Sequence, residues 1–215
     1  MKRATLTFCV LSATLLTGCK LLQQSPELYL SHWDLKQPEV ADFDLCASSG
    51  CEEIANLGYT QEEWRSIRAF FEPRPKNAAE ERERILNSIG AMEQINGDKK
   101  GTAGDAPKNY RHLGTGAQLD CIAEAANTTV ALLLLQKEGL LKFHTVAYPQ
   151  HRGFLQVRLP HNSASIRETG TENHFVVDSW FFKNGEPATI VSVHEWKRGY
   201  DPTKAKTKED SELEL

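Results

Sequence analysis

Cysteine, histidine and aspartate recur in this chain in an order that could break or make an acyl bond. Cys121 stands in "LDCIAEAANTTVALLLLQ", where Asp120 is placed to cap a helix and so to put the thiol in its first turn. Unpaired amide N–H groups and the helix dipole there favour negative charge, and the thiolate is the nucleophilic form. A thiolate still needs a base, and the base needs a group to orient it. His112, His144, His151, His161, His174 and His194 all fall in or near the same region, so abundance does not choose among them.

Pairing geometry does choose. "HNSASIRETGTENHFVVDSWFF" reads as two strands around a two-residue turn at Thr169-Gly170, which sets His161 directly opposite Asp178 on one sheet face. His174 lies four residues before Asp178 on the same strand, about 13 Å along its axis, out of that carboxylate's reach. The expected triad is therefore Cys121 as nucleophile, His161 as base and Asp178 as orienting carboxylate. It requires one imidazole nitrogen about 3–4 Å from the sulfur and the other on the carboxylate. Gln118 is a candidate second oxyanion donor beside the Cys121 amide. Trp180 reads as core or groove wall. Taken singly, each triad residue has a plainer reading: a small buried hydrophobe, a loop histidine after Pro160, a turn-capping aspartate. Order and parity together favour catalysis.

The elements that must carry these residues follow from periodicity. "TQEEWRSIRAFF" has Thr60 and Glu63 in capping-box spacing, and "NAAEERERILNSIGAMEQI" repeats the device with Asn77, showing Ile85, Ile89 and Met92 on one stripe. "NGDKKGTAGDAPKN" reads as a polar, Gly-rich loop. The helix from Asp120 is apolar nearly all round and must be buried, its Thr128 and Thr129 bonding backbone carbonyls. After Gly139 come the short β-rich runs "KFHTVAY", "FLQVRL", "NSASIRE", "HFVVDSWFF" and "ATIVSV". Helices first and antiparallel strands after define an α+β fold, with N-terminal helices and a buried cysteine-bearing helix packed on an antiparallel sheet.

Composition narrows the function. The chain has 215 residues and a formal net charge of −4, without a basic face for nucleic acid or a second long apolar run for a membrane span. No His/Cys/carboxylate set has metal-ligand spacing, and no cofactor is expected. The opening "MKRATLTFCVLSATLLTGCK" has a basic start and an apolar run too short to span a bilayer, the pattern of a secretory signal. Cys46 and Cys51, five residues apart across a Ser-Ser-Gly turn, allow a short-loop disulfide in an oxidising compartment, leaving Cys121 unpaired.

Two resemblances add to this. "LLTGC" resembles the bacterial lipobox, which implies cleavage before Cys19 and acylation there, hence a partner bilayer and a place in the cell envelope, outer membrane facing the periplasm. The expected organisation is a signal over 1–18, a lipidated tether over 19–40, a domain over 41–200 and a polar tail over 201–215. The order Cys121, His161, Asp178, with "LDC" and, less specifically, "PH", resembles the papain-like and transglutaminase-like superfamily, most of all bacterial transglutaminase-like cysteine peptidases, and "VDSWFFKNGEP" looks like the signature of a smaller group of bacterial sequences sharing "DCIxEAxNTT". The resemblance covers roughly Asn77 to Trp196. It implies a thiol hydrolase or acyltransferase acting on an amide or peptide bond of a peptide or protein. The chain departs from that pattern with "DCIAEA" after the cysteine and with polar Asn162 after the histidine. The other reading is the same fold, catalytically silent, as a binding or scaffold module of the envelope.

Overall fold

The computed structural model describes residues 24–110, 118–153 and 160–204. Cys19 and the signal segment, His112 and the "FLQVRL" run lie outside the described residues. The protein is α+β. Ser25 caps α1 (Pro26–His32), with Pro26 in the first turn, where its missing N–H costs nothing. Tyr29 and Leu30 of that helix, and Leu35 beyond it, are buried in the main core. The expected tether over 19–40 therefore needs correction: from Ser25 the chain already belongs to the domain. At the other end, Asp201 and Thr203 both accept from Lys108 Nζ, at 3.0 and 2.6 Å, so the folded part also runs into the expected tail.

The hairpin β1 (Phe43–Cys46) and β2 (Ile54–Leu57) carries a short 3₁₀ turn at Ser49–Cys51, and Cys46 and Cys51 are joined as a disulfide. Thr60 and Glu63 form the expected capping box of α2 (Gln61–Ala69). Asn77 caps α3 (Ala78–Lys100), whose Ile85, Ile89 and Met92 are buried as its stripe requires. This helix overruns the expected loop and stops only at Gly101, whose φ of 82° is the left-handed cap. "NG" at Asn96-Gly97 looks like a turn signal, but it is a packing device. A side chain at Gly97 would meet the Asn184 amide, and one at Gly90 would sit 2.8 Å from the Glu186 carbonyl oxygen. Gly90→Ala should thus cost about 1–3 kcal/mol despite alanine's better helix propensity, read as a lower urea midpoint. A variant as stable as the parent would refute this close approach.

Asp120 caps α4 (Cys121–Lys137), buried from Ala123 to Leu135. The helix lies between the β1–β2 hairpin on one side and, on the other, a four-stranded antiparallel sheet in the order β3 (His144–Arg152), β4 (His161–Glu168), β5 (His174–Asp178), β6 (Thr189–Ser192). Alternation divides the sheet's residues. Ala164, Ile166 and Val177 join the main core around α4, whereas Val176 and Val191 pack with Trp196 of α5 (Val193–Lys197) on the opposite face.

Candidate active site

Three local devices hold Cys121 in place. Asp120 Oδ1 accepts from the Ile122 and Ala123 amides at 3.1 and 3.0 Å. Asp105 Oδ1 accepts from Leu119 N at 2.7 Å, and the Gln118 carbonyl accepts from Ser49 Oγ at 3.1 Å, tying the approach to the disulfide turn. Gln118's amide is spent inside the 104–106 loop: Nε2 donates to Gly104 O and Oε1 accepts from Ala106 N, both at 3.0 Å. Gln118 thus clamps the loop with Oε1 and one Nε2 hydrogen.

The imidazole–carboxylate pair forms. His161 Nε2 lies 2.7 Å from Asp178 Oδ2, both side chains buried, and Trp196 Nε1 donates to the same oxygen at 2.8 Å. The register behind it differs from expectation. Arg167 pairs with His174 and Ala164 with Val177, so the turn holds Thr169 to Glu172 and the strands are shifted by two residues. Thr169 N donates instead to Phe143 O at 2.8 Å, which opens the two-residue turn. A shift of two keeps the face, so His161 and Asp178 become diagonal neighbours still within reach.

The thiol does not complete the triad by a hydrogen bond. His161 Nδ1 is buried with no partner among the described residues. The pair occupies the α5 face of the sheet, with Val176 and Trp196, whereas Asn162, next along the strand, faces α4. It is Asn162 that reaches the sulfur, Nδ2 to Sγ being 3.9 Å. Its Oδ1 lies 3.0 Å from His151 Nδ1, directly across the β3–β4 ladder. His161 and Cys121 instead share a wall. Trp180 and Phe181 pack on Cys121, and their ring centroids are 4.5 and 5.5 Å from the imidazole. Trp196 stands 5.4 Å away from the imidazole. Trp180 is itself fixed, its Nε1 donating to Asn109 O at 2.8 Å, with Tyr110 edge-on against it at the surface.

Burial pushes the thiol up to about 11, with Asn162's N–H groups pulling down and the Asp120 and Asp178 charges adding to the rise. Desolvation thus outweighs the helix terminus that the sequence suggested would win. The other histidines do different work. His144 is buried between Glu81 and Arg82, and His174 Nε2 sits 3.0 Å from Ser165 Oγ, lowered to about 4 by burial and the Arg167 and Lys197 charges. Thr129 bonds the Ala125 carbonyl as expected, but Thr128 faces Ser179 Oγ at 3.2 Å.

Beneath the site lies a buried charge cluster the sequence did not suggest. Glu93 and Lys100 from α3, Asp105 from the loop and Glu124 from α4 converge there. Ser179 donates to Glu124 Oε2 at 3.0 Å, and Lys100 Nζ donates to the Cys46 carbonyl at 3.0 Å. Burial raises Glu93 to about 7, raises Glu124 and Asp105, and lowers Lys100 to about 8. Among the described residues no His, Cys, Asp or Glu group could hold a metal ion, and no helix is long and apolar enough to cross a membrane. Set against known proteins, the chain matches no family model, no curated protein and no solved structure.

Proposed function

We propose that this is a lipid-anchored envelope protein whose domain, of transglutaminase-like and papain-like kind, uses Cys121 to attack an amide or peptide carbonyl. The observation that carries the reading is the His161–Asp178 pair: the carboxylate holds the proton on Nε2 and leaves Nδ1 with a free lone pair, the form a general base needs. With the thiol neutral at rest, proton transfer accompanies attack. Cys121 loses its proton to His161 Nδ1 as the S–C bond forms; the imidazolium then returns it to the leaving group as the C–N bond breaks. Asp178 Oδ2 orients the ring through Nε2, and Trp180 and Trp196 pack beside it. For transfer to occur, the imidazole must turn toward the sulfur across the wall they share.

p-Nitrophenyl acetate tests this without knowledge of the natural substrate. Expected is a burst of one p-nitrophenolate per protein, an acetyl group on Cys121 by peptide mass mapping, and neither in Cys121→Ala. A burst that survives Cys121→Ala, or none at all in the parent, defeats the reading. The raised thiol favours a second one, a catalytically silent binding or scaffold module. Absence of acylation, with iodoacetamide reacting at Cys121 no faster than at free cysteine, supports that alternative.

A further inference from the structure

We propose that Asn162 supplies the oxyanion donor of this site, with the Cys121 backbone N–H as the second; the inference rests on the acyl-transfer reading above. Gln118, the residue that spacing suggested for the task, has both ends of its amide committed to the 104–106 loop. Asn162 has the opposite arrangement. Its Nδ2 points at Sγ from 3.9 Å, a distance too long to count as a strong bond to sulfur at rest. A carbonyl carbon bonded to Sγ carries its oxygen into the space between the sulfur and its neighbours, and a donor standing off the sulfur meets it there.

The direction of that amide is set from behind. Asn162 Oδ1 faces His151 Nδ1 at 3.0 Å, and His151 and Asn162 are direct partners in the β3–β4 ladder, so the imidazole N–H donates to Oδ1 and turns Nδ2 toward the thiol. Asn162 is only half-buried, which leaves its amide open to an incoming acyl group. The second donor comes from the helix start. Asp120 takes the Ile122 and Ala123 amides with its side chain and the Glu124 amide with its carbonyl, which leaves the Cys121 N–H outside the cap. His151 is then a positioning residue and Asn162 a catalytic one.

In the step assigned to this pair, the S–C bond forms, the carbonyl π electrons move to oxygen as O⁻, and Asn162 Nδ2–H and Cys121 N–H donate to it. Collapse of the intermediate expels the leaving group. Alkylation by iodoacetamide forms an S–C bond without an oxyanion, so the two reagents separate the roles. Asn162→Leu should lower acylation by p-nitrophenyl acetate on the order of 100-fold while leaving iodoacetamide alkylation of Cys121 within about threefold of the parent. His151→Phe should weaken acylation less, and Asn162→Gln should restore part of it.

Equal acylation rates in the parent and Asn162→Leu, with Cys121 acetylated in both, overturn the oxyanion role and leave the proposed function standing. Loss of acylation and alkylation in parallel, in a variant whose circular dichroism matches the parent, also overturns it, because Asn162 then acts on the thiolate. Should Asn162→Leu fail to fold, the isosteric Asn162→Asp carries the test. It replaces the donor by an acceptor, so it must lose acylation at least as severely, and retention overturns the proposal.

Discussion

Asp178→Ala is expected to slow acylation of Cys121 by about 10³-fold or more, whereas Asp178→Asn should cost far less. The difference comes from Trp196. Its indole N–H donates to the same Asp178 oxygen that His161 faces, so an asparagine must turn its carbonyl oxygen, and not its NH₂, into that position. The imidazole then keeps its proton on Nε2 and loses only the negative charge opposite it. Removing the indole donor frees the amide to flip, so Trp196→Phe combined with Asp178→Asn should fall well below either single variant. Rates of p-nitrophenolate release, with circular dichroism to confirm folding, decide the point. Equal rates for the alanine and asparagine variants would show that Trp196 does not fix the oxygen.

The second large effect is on stability, and its sign is unusual for a carboxylate. Glu93 lies at about 7 in the folded protein against an ordinary 4.5, so its contribution is complete below pH 4.5 and is lost as pH rises through 7. A shift of that size corresponds to about 3–4 kcal/mol. Lys100, lowered to about 8, adds stability above its ordinary 10.5 that is lost as pH falls through 8. Glu124 and Asp105, raised by burial and facing both groups, push the same way as Glu93. The protein should therefore be least stable near pH 7–8 and gain on acidification toward pH 5. Glu93→Gln should be steadier across pH 5–8 and melt higher than the parent at pH 7.5. Parallel urea midpoints for parent and variant over that range would count against a buried, titrating Glu93.

Much of the scaffold was legible because it rests on local chemistry. Capping residues Thr60, Asn77 and Asp120 begin helices where their spacing says, and the two cysteines across Ser-Ser-Gly close on each other. The His161–Asp178 contact survives a turn two residues longer than its spacing suggests, because sheet parity repeats every second residue. What stayed hidden depends on distant partners. Asn96-Gly97 reads as the start of a loop, since nothing nearby announces that Asn184 packs on Gly97. The Gln118 clamp requires a loop twelve or more residues upstream, and the Trp196–Asp178 bond joins a short helix to a strand across another strand. Asn162 was visible only as a departure from a family pattern. Its meaning needed the His151 register, on a strand whose bulge between Ala147 and Gln150 no spacing rule foretells.

The burial of Tyr29 and Leu30 also sets a leash length. A tether running from residue 19 to residue 40 could let the domain wander some 70 Å from its anchor, at the usual rise of an extended chain. With α1 built into the core, the chain from Cys19 to Ser25 can span at most roughly 20 Å, the limit for full extension. A domain of this size is about 40 Å across. If Cys19 carries the proposed lipid, the domain stays within roughly 60 Å of the bilayer surface, and the proposed thiol chemistry would act on substrates that come to the membrane.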